Sequence, residues 1–244
     1  MEGFSNAGTA TIHTVAGGGS ITIFPGVSAV ELFFRATGGS AQFITDARAF
    51  VDFSGTTGPN NDGHVTAGSI AGAGGYFLGS DQLTVGLNGL STVASGPVDD
   101  GGVDGGSGGS LVKVGAGTLR LSHAGNSYGG GTTLEAGRLD VAAFGAAGPG
   151  AITFAGRASL EIENAALSQH AFGNAVDAFA RHDIIDLAGL KLHSGATATY
   201  HRASHHLVVH SGKVADTLTL MSPHGTHFIV ASDGLGGTDV PLHP

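Results

Sequence analysis

Residues 109–142 read GSLVKVGAGTLRLSHAGNSYGGGTTLEAGRLDVA, and the alternation within them decides the fold class. Three short runs, Leu111–Val114, Thr118–Leu121 and Arg138–Val141, put apolar residues at every second position. That is the period of a strand with one covered face. In the second run Leu119 and Leu121 fall on one side, Thr118 and Arg120 on the other. Gly115, Gly117 and Gly137 stand before strands, where glycine lets the backbone turn with positive φ. The polar segment Asn126–Thr133, followed by Leu134, separates the second run from the third.

The rest of the chain repeats this theme. It holds 44 Gly in 244 residues, where average usage gives roughly 17. Each Gly inside a helix costs roughly 1 kcal/mol, so the composition disfavours helix. Thr, Val, Ile and Phe gather between the glycines, which reads as all-β. Hydrophobic residues at 41% and charged residues at 12% supply a core and exclude disorder.

Towards the N-terminus, Thr9–Val15, Ser20–Phe24, Val30–Ala36, Ala41–Thr45 and Ala49–Phe53 recur about every ten residues. That spacing fits a sandwich, or a solenoid with two or three strands per coil. The residues from Thr56 to Gly63 form a polar turn, and further strand centres stand at Ile70, Tyr76–Leu78, Leu83–Val85 and Leu90–Val93. The run Asp99–Ser110, DDGGVDGGSGGS, reads as a flexible loop or the thinnest joint in the chain. Strands return at Ile152–Phe154 and Ser159–Ile162, and Ala165–Arg181 alone has room for a helical turn. Asp183–Leu187, Ala196–His201, His206–His210, Thr217–Met221 and His227–Ala231 then read as five more. The expected division is solenoid coils over 1–108, repeat coils over 109–164, and a terminal or capping part over 165–244.

The repeat text resembles the autotransporter-associated β-strand repeat of bacterial passenger proteins. Gly115, Gly117, Thr118, Leu119 and Leu121 carry the first part of that pattern. Asn126, Tyr128, Gly130, Gly131 and Thr132 carry the second, and Gly137, Leu139 and Val141 the third. The resemblance covers about thirty residues. It implies a right-handed parallel β-helix displayed outside the outer membrane, secreted or at the bacterial cell surface.

Charge and cysteine content narrow the partners. Ten basic against 19 acidic residues give −9, which argues against nucleic acid. The 13 His read as polar strand-surface residues. Without Cys there is neither disulfide nor thiolate chemistry. No apolar run approaches the roughly 20 residues of a membrane helix. The first residues lack the basic and apolar regions of a signal peptide, so an export signal is expected elsewhere.

Four constellations invite chemistry. Gly105-Gly-Ser107-Gly-Gly109 satisfies G-x-S-x-G, but glycines flank the Ser where a hydrolase elbow needs a strand and a helix. Asp99, Asp100 and Asp104, and Asp233 with Asp239, resemble calcium loops without the required recurrence. His201, His205, His206 and His210 offer two ligands across a hairpin, where zinc takes three or four. Glu161 and Glu163 share a strand face about 7 Å apart, inside the inverting-glycosidase range, with Asp183 and Asp186 as a second pair. No Lys or Arg cluster is evident beside them in the text.

The expected fold is therefore an all-β, right-handed parallel β-helix with a capping C-terminal segment. Its expected role is an extracellular structural or adhesive passenger, not an enzyme. No catalytic, cofactor-binding or metal residue is singled out, and no cofactor is implied. The expected partners are carbohydrate or a host or cell-surface protein. A polysaccharide-cleaving β-helix enzyme and a β-sandwich binding module are the alternatives.

Overall fold

The computed structural model describes residues 6–14, 28–31 and 35–243. The strand expected at Ser20–Phe24, and the middle of that expected at Val30–Ala36, lie outside them. β1 (Thr11–Thr14) and β2 (Ser28–Glu31) come first. Three strands then make a coil: β3 (Gln42–Thr45), β4 (Ala49–Asp52) and β5 (His64–Ala67). The next coil has β6 (Ser69–Gly72), β7 (Gly75–Phe77) and β8 (Gln82–Val85), and the next β9 (Thr92–Ala94), β10 (Val98–Asp99) and β11 (Ser110–Lys113). From there each coil has two main strands. β12 (Thr118–Leu121) goes with β13 (Thr132–Leu134), and β14 (Gly137–Val141) with β15 (Ile152–Phe154). β16 (Ala158–Ile162) leads through the short β17 (Leu167–Ser168) to β18 (Ala171–Asp177). β19 (Ile184–Leu187) precedes β20 (Thr197–His201), β21 (His206–Ser211) and β22 (Val214–Met221), and β23 (Ala231–Ser232) and β24 (Thr238–Pro241) end the chain.

Like strands of successive coils stack into sheets. A front sheet runs β1-β3-β6-β9-β12-β14-β16-β19, and a back sheet β5-β8-β11-β13-β15-β18-β22. A side sheet, β2-β4-β7-β10, closes the third side and stops at β10. Every pairing along these three paths is parallel. This is a β-solenoid, and parallel pairing sets the sandwich reading aside. Leu119 pairs with Leu139, and Leu139 with Leu160, so the first two-strand coils take 20 and 21 residues, while the next, from Leu160 to Ile185, takes 25.

The core is a set of ladders. Leu119, Leu139, Leu160 and Ile185 line the inner front face, opposed by Leu111, Ile152 and Val176 from the back. Burying each such side chain contributes about 1.5–3 kcal/mol, spread along the rod. Lys113 is also inward and only 1% exposed. Its Nζ donates to the carbonyls of Val114 (2.7 Å), Gly115 (2.9 Å) and Ala136 (3.2 Å), joining two coils at their corners. Burial pulls its pKa down to about 8, which leaves it an ammonium at neutral pH.

Where the side sheet stops, residues 126–132 take its place. The Val98 N–H donates to Asn126 Oδ1 at 3.0 Å, and Asn126 Nδ2 donates to the Ala146 carbonyl at 2.7 Å. One side chain thereby links three coils. Tyr128 is fully buried, with its hydroxyl 2.8 Å from Thr132 Oγ1. Asn174 continues the series, donating to the Gly148 and Gly150 carbonyls, both at 2.7 Å.

Several expectations need correction. Gly115 and Gly137 have positive φ, but Gly117 is not among the positive-φ residues; a Cβ there would strike the Leu90 carbonyl of the previous coil. The Asp99–Ser110 stretch is no joint. Asp100 accepts the N–H groups of Gly108 and Gly109 (both 2.8 Å) and of Gly129 (3.2 Å), while Asp52 accepts that of Val103 at 2.6 Å. These bonds tie the loop to coils on both sides. Ala165–Arg181 holds only a 3-10 turn at Asn164–Ala166, because Phe172, Asn174 and Val176 alternate inward as a strand. No strand spans His227–Ala231; Phe228 turns its ring into the core and makes a single bridge to Leu242.

The C-terminal part is antiparallel. β20-β21-β22 fold back over the end of the back sheet, and β24 and β23 over β19. Hairpins of this kind cover the last parallel edge, as a solenoid end requires.

Candidate functional site

Register brings together residues far apart in sequence on the outer front face. Arg120 pairs with Asp140, Asp140 with Glu161, Glu161 with Asp186, and Asp186 with Asp239. Alternation turns all five outward while Leu119, Leu139, Leu160, Ile185 and Val240 face in. The result is a column with one guanidinium and four carboxylates at the strand spacing of about 4.8 Å.

Two arginines staple it. Arg120 Nη1 donates to Asp140 Oδ2 and to Glu163 Oε1. Arg138, one row over, donates to Glu161 Oε2 at 2.6 Å and Asp186 Oδ2 at 3.2 Å. Each arginine thus reaches forward across the next two strands. The Asp140 and Asp186 side chains are only 6% and 2% exposed. One oxygen of each, Oδ1, is buried without a hydrogen-bond partner.

Burial pushes Asp140 up to about 6, against the opposing pull of Arg120 and with help from Glu161 and Glu163. Asp186 is also pushed up to about 6, by burial first and then by the Asp239 carboxylate. Asp239 is raised by burial and by Asp233. Two guanidiniums face five carboxylates here, an excess of negative charge in a half-dry setting.

The sequence pairs meet different fates. Glu161 and Glu163 do come together, with ligand oxygens of Asp140, Glu161 and Glu163 all within 4.8 Å of one another. Those oxygens lie closer than the roughly 7 Å read from strand spacing, and each glutamate already holds an arginine, Glu163 with Arg120 and Glu161 with Arg138. The Arg pair absent from the local text stands beside them, supplied by neighbouring coils. Asp183 does not join Asp186; its oxygens accept the N–H groups of Ala180 (2.8 Å) and Ala158 (3.3 Å) as a buried turn residue. Sequence reading missed Arg120, Arg138 and Asp140 as partners because only register reveals them.

The remaining candidates are structural or apart. Ser107 is exposed in the pinned glycine loop, with no elbow around it. Asp99 accepts the Ser127 N–H of the next coil at 2.9 Å, and Asp233 accepts those of Leu235, Gly236 and Gly237 in its own loop, so both acids serve backbone groups. His201 pairs directly with His206 across the β20–β21 hairpin, while His205 sits in the turn and His210 opposite Thr197. All four are exposed. Among the described residues the one converging group of three or more ligating side chains is Asp140, Glu161 and Glu163. On the side that the third sheet leaves open, a shallow cleft of about 400 Å³ is lined by Asn126, Phe144, Pro149, Ala166 and Asn174, with Phe144 55% exposed at its rim.

Residues 111–141 match the family model of the passenger-associated-transport-repeat. No curated protein and no solved structure matches the chain. The transport repeat covers about an eighth of the sequence and runs from β11 through β14. Its Asn126, Tyr128 and Thr132 are the residues that close the third side, so their chemistry serves the coil. The carboxylate column begins inside the transport repeat at Arg120 and Asp140 and extends beyond it to Asp239. Among the described residues no helix is long and apolar enough to cross a membrane.

Proposed function

We propose that the chain is a non-catalytic part of an autotransporter-type passenger, secreted or displayed at the cell surface, serving as a stalk or adhesive surface. The observation that carries this reading is the transport-repeat match at 111–141, whose distinctive polar residues bond to neighbouring coils. A rod of stacked coils presents long outer faces of Thr, Ser and His, suited to weak contact with carbohydrate or a cell-surface protein. The acidic residues favoured for catalysis, Glu161 and Glu163, each hold an arginine.

Polysaccharide cleavage is the second reading, favoured only by the carboxylates gathered at Glu161 and Glu163. Incubation with a panel of neutral and acidic glycans separates the two by assay of new reducing ends. The passenger reading expects no release above buffer, with retention on one or more immobilised glycans or on cells. Release that disappears in Glu161→Gln or Glu163→Gln would overturn it.

A further inference from the structure

Two corners of the solenoid lie side by side where β15 leads into β16 and β18 into β19. Ser159 pairs with Ile184, and the same register carried two residues back sets Arg157 beside His182, the neighbour of Arg181. Arg157 and Arg181 meet His224 around a cleft of about 370 Å³, lined also by Phe154 and Gly156. The His224 N–H donates to the Phe179 carbonyl at 2.8 Å, which brings that residue to the corner. All three basic side chains are exposed.

The charges are what set this cleft apart. Arg120 and Arg138 each hold two carboxylates. Arg157 and Arg181 hold none among the described residues, in a chain with 19 acidic and ten basic residues. The one carboxylate lining the cleft, Asp183, is buried and spent on the backbone: Oδ1 accepts the Ala158 N–H at 3.3 Å and Oδ2 the Ala180 N–H at 2.8 Å. Two guanidiniums against one carboxylate leave room for one more negative charge.

The corner is also strained and fixed. Ala178 and His182 have φ of 55° and 78°, the left-handed region that non-glycine residues rarely occupy. Asp177 Oδ1 accepts the Ala178 N–H at 2.8 Å, and Asp183 holds Ala180, so the backbone under Arg181 is set before anything binds. Strain held in place by its surroundings is typical of ligand clamps.

We propose that this cleft binds a sugar bearing a single carboxylate, a uronic acid unit of a cell-surface glycan, with Arg157 and Arg181 gripping the carboxylate. The guanidinium fork matches a carboxylate edge to edge. Ala155, Gly156 and Ala178 leave the wall between the arginines without bulk, where a ring can lie. The volume stands at the small end of the roughly 300–1,000 Å³ of ligand sites, which suits one sugar ring. The inference rests on the adhesive reading above and names the ligand class of one place on that surface.

Ligand-observed NMR on the full chain at pH 7 tests it with methyl glucuronide against methyl glucoside, which differ only in the carboxylate. The glucuronide should bind with a Kd on the order of 1 mM, and the glucoside at least about tenfold more weakly. Arg157→Gln and Arg181→Gln should each weaken glucuronide binding about tenfold; both side chains are exposed, so both variants should fold. Lys213→Gln removes the same charge from an exposed turn at the far end of β22 and should leave binding unchanged. N-acetylglutamate offers carboxylates without a ring and should bind less tightly than the glucuronide. Equal binding of glucuronide and glucoside, equal binding of N-acetylglutamate (the mark of an acidic-peptide site), or glucuronide binding that survives both arginine variants would each overturn the proposal. The adhesive reading fails on a different readout, the release of reducing ends. A protein retained on neutral glycans or on cells that ignores methyl glucuronide would lose this site alone.

Discussion

Ahead of Gly109 a coil has three strands, and from Thr118 onward it has two, yet both halves enclose a dry interior. In the first half the side sheet β4-β7-β10 closes the third side with backbone bonds. In the second half Asn126, Tyr128 and Asn174 do so with side chains. The difference shows that a solenoid face is replaceable. What is required is that each inner carbonyl and N–H finds a partner and that the gap is filled. Coil length does not separate the halves: Val65 to Leu83 takes 18 residues and Phe43 to Ile70 takes 27 in the first, while Leu119 to Leu139 takes 20 and Leu160 to Ile185 takes 25 in the second.

If the two halves follow one packing rule, equivalent core deletions should cost the same. Leu83→Ala in β8 and Leu139→Ala in β14 each remove a buried ladder residue. Each should lower stability by about 2–5 kcal/mol in urea denaturation, the two values agreeing within about 1 kcal/mol. A small cost at Leu139 alone would mean that the two-strand half is loosely packed.

The closing side chains should be next in effect. Asn126→Ala strands the Val98 N–H and the Ala146 carbonyl, a loss of about 2–3 kcal/mol. In the three-strand half, Asn88→Ala loses its Nδ2 bond to Ser69 Oγ and the exposed Leu90 N–H bond to its Oδ1, strands no buried group, and should cost only about 1 kcal/mol. Equal losses would contradict the division of labour between backbone and side chain.

The outer column distinguishes the halves by pH. Asp140 and Asp186, at about 6 in the folded protein, lie above the unfolded value of about 3.9. The folded state then binds protons more readily, so the contribution is fully present below about pH 4 and is lost as pH rises through 6. The thermal midpoint should fall between pH 5 and pH 7.5, by the equivalent of about 1 kcal/mol per carboxylate. Asp140→Asn should flatten part of that slope. An unchanged slope would show that Arg120, Arg138, Glu161, Glu163 and Asp239 already compensate it.

Legibility in the sequence followed the range of the interaction. Thr118–Leu121 and Ile152–Phe154 were readable to the residue, because a period of two is local. The capping part was partly readable: the β20, β21 and β22 strands stood out, but the 231–241 strands did not. Phe228 looked like a strand centre and is a core plug instead. The closing role of Asn126 was hidden, since its partners lie 28 residues before it and 20 after. The carboxylate column was hidden for the same reason: Arg120, Asp140, Glu161 and Asp186 become neighbours only once the coil length is known.

Parallel stacking in fixed register underlies both the core ladders and the column. The chain has no Cys, so paired spin labels can be placed without background. Thr66, Thr84, Val112, Thr133, Thr153 and Asp177 are successive partners on the back sheet. Pulsed-electron resonance between labels at 177 and 84, then 177 and 66, should give separations of about 19 Å and 24 Å, one strand spacing apart. Distances that fail to lengthen by about 5 Å from the first pair to the second would contradict the stacked solenoid.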